Sequence, residues 1–269
     1  MKAHISSRHQ QGLSLIELMI GLMIGLMVVA VAMSALMAAR GVSGTVSDAS
    51  AIQQQAAYAM RVIGQQLRQT GSLHLNLNPN NITGDTDILT LAAVGLEISG
   101  STEEVLSGTD NSLDIYYTRY TEPTFTGAAE ISHSRNCLGL PAEGSTDERF
   151  ESLFSFSANQ LRCAGNGVTD GRSIIGNVAD FQLRYLLQDK GESGNPKLIY
   201  AASGDVGDWD QVQGIEVCLV LFGDERIDIP AGSTYTGCSG TAQAYADNRM
   251  HLLFRNVFQL RSQGLLKNS

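Results

Sequence analysis

Proline is scarce in this chain, five residues in 269, and basic residues are outnumbered, 18 Lys and Arg against 27 Asp and Glu. The first scarcity excludes a rigid Pro-rich linker and leaves the turns to 28 glycines. The second gives a formal charge of −9 and excludes the clustered cationic footprint of a nucleic-acid binder, so no nucleic-acid partner is expected. Charged residues are only 17% of the chain and hydrophobic ones 43%, which excludes wholesale disorder. Long apolar runs are absent with one exception, so a polytopic membrane protein is excluded.

Motifs of chemistry are equally sparse. There is no CxxC pair, which leaves zinc and thioredoxin-type readings without support. GxSxG, HExxH and P-loop patterns are missing. Beyond the first twelve residues the histidines are His74, His133 and His251, widely spaced. Gly165–Gly167 lacks the third glycine of a dinucleotide loop and reads as an ordinary loop that follows no clear strand. Asp205, Asp208 and Asp210, with Asp189 and Glu192 nearby, are oxygen donors suited to Ca²⁺, but their spacing is not that of an EF-hand, and they read as a solvated turn. The expectation is a non-enzyme with no cofactor and no metal.

The exception among the apolar runs is residues 13–39, preceded by the polar stretch 1–12, whose formal charges are Lys2 and Arg8. As a helix the run is about 40 Å long at ~1.5 Å per residue, enough for a hydrocarbon core of ~30 Å. Positive charge ahead of it keeps residues 1–12 cytoplasmic and sends the rest across. A cleaved secretory signal would have a shorter apolar region and a small-residue cleavage site. A plain signal anchor would not need Glu17, the one charge in the run. A carboxylate there costs about 2.5–3.5 kcal/mol at the membrane centre, less near an end, and calls for a partner. The dipole at a helix N-terminus supplies a purely structural alternative.

The order Gly12, Leu13, Ser14, Leu15, Ile16, Glu17, followed by the apolar run, resembles the class III leader of type IV prepilins. The resemblance implies that a prepilin peptidase cuts after Gly12 and that the new amine of Leu13 is N-methylated. It also implies that Glu17 pairs with the N-terminal amine of a neighbouring subunit. Pairing a buried amine with a buried carboxylate removes two desolvation penalties at once, and only between correctly staggered subunits. The family usually begins its mature chain with Phe; here Leu13 stands at that position. Gly21 and Gly25 form a GxxxG, which lets membrane helices approach closely, although glycine is common in such helices anyway. The first proline is Pro79, so no Pro kink is expected in the helix.

The helix is expected to continue to Thr70, with Gly71 at the C′ position. Val42, Val46, Ala49, Gln53, Ala56, Met60, Ile63 and Leu67 recur at spacings of four and three and read as the packed seam, while Gln53–Gln55, Gln65 and Gln66 read as the wet face. Residues 72–269 read mostly as strands. Ile88–Leu91 and Leu113–Tyr117 are short β-prone runs. Phe181, Leu183, Tyr185 and Leu187 alternate with polar residues, and a turn over Asp189–Pro196 leads to a hairpin return at Lys197–Tyr200. Gly214–Phe222 is apolar apart from Glu216 and reads as a central strand. In the last strand Leu252, Phe254, Phe258 and Leu260 share one parity, and Arg255, Gln259 and Arg261 the other.

The run Ile174–Tyr185, then Trp209–Val212 and Ile215–Val220, ending in Arg249–Phe254 and Val257–Arg261, resembles the PilW family of minor pilins. That resemblance implies an α+β, type IV pilin-like fold, a long N-terminal helix packed on an antiparallel β-sheet head. The organisation that follows is a leader at 1–12, a transmembrane or filament-core half of the helix at 13–39, an amphipathic half at 40–70 and a periplasmic head at 71–269. It implies a minor pilin that joins other minor pilins and the major pilin to initiate or cap a type IV pilus, with a tip adhesin as a further candidate partner. The location implied is the inner membrane, single-pass, then the pilus tip. A minor pseudopilin of a type II secretion system shares leader and architecture. A membrane-anchored periplasmic enzyme or ligand-binding protein is the alternative of another class, and would need neither Gly12 nor Glu17.

Four cysteines, Cys137, Cys163, Cys218 and Cys238, lie on the side expected to be exported, where disulfides form. Three connectivities are possible. Pairing Cys137 with Cys163 and Cys218 with Cys238 closes two local loops rich in Gly and polar residues.

Overall fold

Ser14 opens the first element of the computed structural model, which describes residues 14–71, 105–118, 122–123, 130–132, 134–141, 149–189 and 197–260. Gly12, Leu13, the expected strand Ile88–Leu91, His74, His133, Glu192 and Arg261 lie outside these residues. Helix α1 spans Leu15–Gln69. It starts with a capping box: the Ser14 hydroxyl accepts the Glu17 N–H at 3.2 Å, and Glu17 Oε2 accepts the Ser14 N–H at 3.2 Å. It ends at Gly71, whose φ of +63° is the left-handed turn that glycine adopts without strain. The Gly71 N–H donates to the Tyr116 carbonyl at 3.1 Å, which hooks the helix end onto a strand.

The chain divides into two compact units, Met1–Ser47 and Asp48–Ser269. In the first, helical side chains face outward: the large apolar residues from Leu15 to Met37 are 51% to 79% exposed.

Among the described residues the second unit holds thirteen strands: β1 (Leu106–Gly108), β2 (Ser112–Thr118), β3 (Glu122–Pro123), β4 (Glu130–Ile131), β5 (Arg149–Ser157), β6 (Gln160–Gly165), β7 (Val168–Ile175), β8 (Val178–Asp189), β9 (Lys197–Ala201), β10 (Val212–Arg226), β11 (Thr234–Thr236), β12 (Ala242–Ala244) and β13 (Arg249–Gln259). The described pairs are all antiparallel. They form a five-stranded sheet, β1-β2-β5-β6-β7, a four-stranded sheet, β13-β10-β8-β9, and the ribbons β11-β12 and β3-β4. The fold is therefore α+β with one long helix, and its head has two main sheets where one was expected.

Short links explain the split. Ala158 and Asn159 (φ +50° and +57°) turn β5 into β6, and Asn166 and Gly167 (φ +50° and +81°) turn β6 into β7. Two residues at positive φ suit the twist of a tight hairpin. Gly165–Gly167 thus does follow a strand, contrary to the sequence reading, and it makes a hairpin turn. Gly176 and Asn177 (φ +56°) then carry the chain from β7, an edge of the first sheet, into β8 of the second.

One apolar core joins helix and sheets within the second unit. Ile52, Ala56, Ala59, Ile63 and Leu67 of α1 meet Leu113, Ile115, Phe150 and Phe154 of the first sheet and Phe181, Leu183, Tyr185, Ile215, Val217 and Leu219 of the second. Strand β10 is central, bonded to β8 on one edge and β13 on the other. The alternation expected in β8, its hairpin with β9, and the core-facing parity of Leu252, Phe254 and Phe258 all appear.

Two details of the helix differ from expectation. The expected seam alternated steps of three and four, a 3.5-residue repeat, whereas a straight helix turns every 3.6 residues and drifts about 20° per heptad. The rows coincide at Ala56, Ile63 and Leu67 and part toward the N-terminus: Ile52 and Asp48 are buried, Gln53 is exposed and Val46 is 64% exposed. Gln65 is exposed, but Gln66, expected on the wet face, is 2% exposed because its amide finds partners in the core.

Candidate functional site

The residues picked from sequence fall into two places. At the helix start, the Glu17 carboxylate takes two donors from Ser14, the backbone N–H at 3.2 Å and the hydroxyl at 3.3 Å. The capping box fixes where the carboxylate sits and satisfies backbone groups that would otherwise be orphaned at the first turn. Glu17 is exposed, like the apolar side chains that follow it. Nothing lies within 4 Å of a Cβ placed on Gly21 or Gly25, so that face is open to close approach. Monomeric soluble proteins rarely expose apolar patches beyond a few hundred Å². The helix has a mean hydropathy of 2.6 in its most apolar window, which is long and apolar enough to cross a membrane. By length and composition the helix is suited to insertion into lipid or to packing among like helices.

The four cysteines lie in the head. Cys137 is joined to Cys163 and Cys218 to Cys238, and no described cysteine is free. The first bond ties the 134–141 loop to β6, and around it lies a buried polar network. Gln66 Oε1 accepts from the Ser152 hydroxyl at 2.9 Å, and Gln66 Nε2 donates to the Arg135 carbonyl at 3.2 Å. The Tyr117 hydroxyl lies 2.8 Å from the Arg135 carbonyl and 3.1 Å from Gln66 Oε1. Asn136 Oδ1 accepts the N–H groups of Leu138 and Leu140, both at 2.9 Å, and its amide donates to Asn166 Oδ1 at 3.1 Å. Burial pushes the Tyr117 phenol well above its ordinary value. Tyr185 is pushed up likewise, by burial first and then by the carboxylates of Asp110 and Asp114.

The second bond clamps central strand β10 under the segment that carries β11 and β12. Cys218, Val220 and Cys238 form a small apolar cluster on the face of β10 opposite the main core. Beside it Glu216, 5% exposed, accepts from Arg184 of β8 at 2.9 and 2.6 Å, with Arg255 of β13 at 3.5 Å. Arg255 also donates to the Cys238 carbonyl at 2.8 Å. A buried carboxylate needs such pairing. Sequence reasoning noticed Glu216 as the polar exception in its strand but missed its partners. The available signal was that Arg184 and Arg255 fall on the polar parity of β8 and β13, the strands that pair with β10.

The remaining candidates make local bonds. Asp208 Oδ1 accepts the Asp210 N–H at 3.1 Å, and Asp208 Oδ2 accepts from Gln211 at 3.3 Å. No group of three His, Cys, Asp or Glu side chains that could hold a metal occurs among the described residues. His251 stacks on Tyr235, with ring centroids 4.2 Å apart, and its Nδ1 lies 2.9 Å from the Arg249 carbonyl.

Residues 7–33 match the family model described as the prokaryotic N-terminal methylation motif. Among solved structures, the chain is similar to a type IV-like pilin from Thermus thermophilus, with 12% identity and a TM-score of 0.38, over 79% of this chain and 98% of that one. No curated protein sequence matches. The matched motif runs into the start of α1, and that helix leads into the antiparallel head, an α+β arrangement.

Proposed function

We propose that this protein is a minor pilin of the PilW type, which joins other minor pilins and the major pilin to initiate or cap a type IV pilus. A prepilin peptidase cuts after Gly12, and Leu13 becomes the methylated N-terminus. Residues 13–39 hold the protein in the inner membrane with its head in the periplasm, and pass into the filament core on assembly. The observation that carries this reading is the match of residues 7–33 to a methylation motif, running into a helix whose large apolar side chains from Leu15 to Met37 are exposed among the described residues. The narrower PilW assignment rests on the sequence runs Ile174–Tyr185, Trp209–Val212, Ile215–Val220, Arg249–Phe254 and Val257–Arg261.

Glu17 is the assembly residue in this account. Its capping box holds the carboxylate at the first turn, where the Leu13 amine of a staggered neighbour can reach it. Removing one partner of a buried ion pair costs about 3–5 kcal/mol, against ~0–1 for an exposed pair. Mass spectrometry of the protein purified from its host membrane tests the processing step. The expected mature chain begins with methylated Leu13, and Gly12 replaced by a bulky residue leaves the leader attached. An unprocessed native N-terminus would overturn the reading.

A further inference from the structure

A cleft of about 630 Å³ opens in the head where the two main sheets meet. Its walls include Asp110, Asn111, Phe156, Asp180, Gln182 and Arg184. Strand β9 covers the outer edge of β8 only from Tyr185 to Asp189. Before that stretch the edge is met at single points: Leu183 N–H donates to the Asp110 carbonyl at 2.8 Å, and Val178 N–H to the Asn159 carbonyl at 3.0 Å. Phe181 lies between them and also borders the cleft. Successive residues of an antiparallel strand direct their N–H and C=O to opposite edges, so Phe181 shares the edge of Leu183. Its backbone N–H and C=O therefore face the cleft. The gap is the place where β9 would run if it were longer.

The charge of the cleft is one-sided. Asp110 is fixed by accepting the Ser203 N–H at 2.8 Å, and Asp180 by accepting the Cys238 N–H at 3.0 Å. Among the described residues of the wall the cation is Arg184, which is bonded to Glu216 at 2.6 Å and lies over the Tyr200 ring at 4.6 Å. Among the described residues, these two carboxylates have no counter-charge of their own, in a chain of formal charge −9. Phe156 gives the wall an apolar surface beside them.

We infer that this cleft takes a short extended peptide of a partner protein, bearing Lys or Arg, which adds as a strand against Phe181 and sets its cation between Asp110 and Asp180. Main-chain bonds to a free sheet edge give such peptides affinity, and side-chain pockets give them specificity. The long-range field of an acidic protein steers a basic segment toward it. The inference stands apart from the pilus reading, because the cleft is built within the head alone.

The test uses the full chain in detergent micelles and a fluorescein-labelled heptapeptide of alternating valine and lysine, followed by fluorescence anisotropy. A second heptapeptide carries N-methyl groups on its central amides, which keeps its charge and removes its backbone donors. The first peptide is expected to bind and to slow amide hydrogen exchange at Phe181. The methylated peptide is expected to bind about tenfold more weakly, since each lost main-chain bond lowers affinity. Asp110→Asn with Asp180→Asn is expected to weaken binding about tenfold or more through loss of charge complementarity. Both substitutions keep an acceptor oxygen for Ser203 and Cys238. Asn111→Lys, at an exposed position, puts a fixed cation in the cleft and is expected to abolish binding even if the double variant folds poorly. Equal affinity for the methylated peptide, unchanged exchange at Phe181, or no binding at millimolar peptide would overturn strand addition. Unchanged binding by both the double variant and Asn111→Lys would overturn the location. Displacement of the peptide by spermidine at equal charge concentration would show a site for polyamines and overturn the peptide reading.

Discussion

Helix α1 behaves as two different helices on the two sides of Ser47. From Leu15 to Met37 its large apolar residues lie open, and no described disulfide or salt bridge involves that stretch. From Asp48 to Thr70 the same backbone buries Ile52, Ala56, Ile63 and Leu67, and Gln66 reaches across 86 residues to Ser152. The first half leaves its large apolar side chains exposed, and the second packs its own into the core of the head. The two halves differ in what surrounds them, so the sign of a substitution should depend on which half receives it.

The largest effect should come from reduction. The two disulfides have sequence separations of 26 and 20, and closing loops of that size stabilises by roughly 3–4 kcal/mol each in chain-entropy terms. Reduced head domain, starting at Asp48, should lose most of its stability in a denaturant titration. The N-terminal half, in which no described residue is crosslinked, should keep its helical content in detergent under the same reductant. Equal midpoints with and without reductant would remove the disulfides from the account.

Gln66→Ala should follow. It takes the acceptor from the buried Ser152 hydroxyl, while Tyr117 and the Arg135 carbonyl keep each other, which costs roughly 1–3 kcal/mol. Gln65→Ala, one residue away on the exposed face, should stay within about 0.5 kcal/mol of the parent. Urea midpoints of the two variants make the comparison.

A glycine pair sharpens it further. A Cβ on Gly64 would sit 2.4 Å from the Phe258 ring, so Gly64→Ala should cost about 1–2 kcal/mol by overpacking. Nothing lies within 4 Å of a Cβ on Gly41, and Gly41→Ala should instead favour the helix by about 0.5–1 kcal/mol. Thermal unfolding of the head reads the first, and helicity in detergent the second. Changes of equal sign would erase the distinction between the halves.

The smallest effect is alkaline. Tyr117 and Tyr185 keep their protons in the fold to higher pH than in the unfolded chain, where a phenol ionises near ~10. Above that pH the unfolded state holds fewer protons than the native one, so head stability should fall as pH rises through ~10 and upward. Below about pH 9 these phenols contribute no slope. A melting temperature that stays level to pH 11 would mean that both phenols ionise without unfolding.

Much of this was legible in the sequence because it is local. The apolar run, the Gly71 stop, the alternation in β8, the apolar stretch of β10 and the parity of β13 each depend on residues a few positions apart. Ser14 and Glu17 spell a capping box, a local signal that was passed over in favour of the leader motif. What could not be read is long-range. Gln66 looks like any wet glutamine until Tyr117 and Ser152 are brought to it by pairing of β2 with β5. The division into two sheets hangs on two residues, Gly176 and Asn177, whose turn carries no signal that distinguishes a sheet switch from a hairpin. The seam drifted because a 3.5-residue template was laid on a straight helix.

The capping box sets the most direct test of the central claim, that Glu17 serves an intersubunit pair as well as its own helix. Glu17→Gln keeps the hydrogen-bonding role at the first turn, since glutamine serves a capping box as glutamate does, and it removes only the charge. The variant should insert in the membrane and lose its leader normally. Pull-down of partner pilins from the host membrane is then the measurement. The account predicts that Glu17→Gln recovers far fewer partner subunits than the parent, because a buried amine left without its carboxylate costs about 3–5 kcal/mol. Recovery equal to the parent would contradict it and leave Glu17 as a helix cap alone.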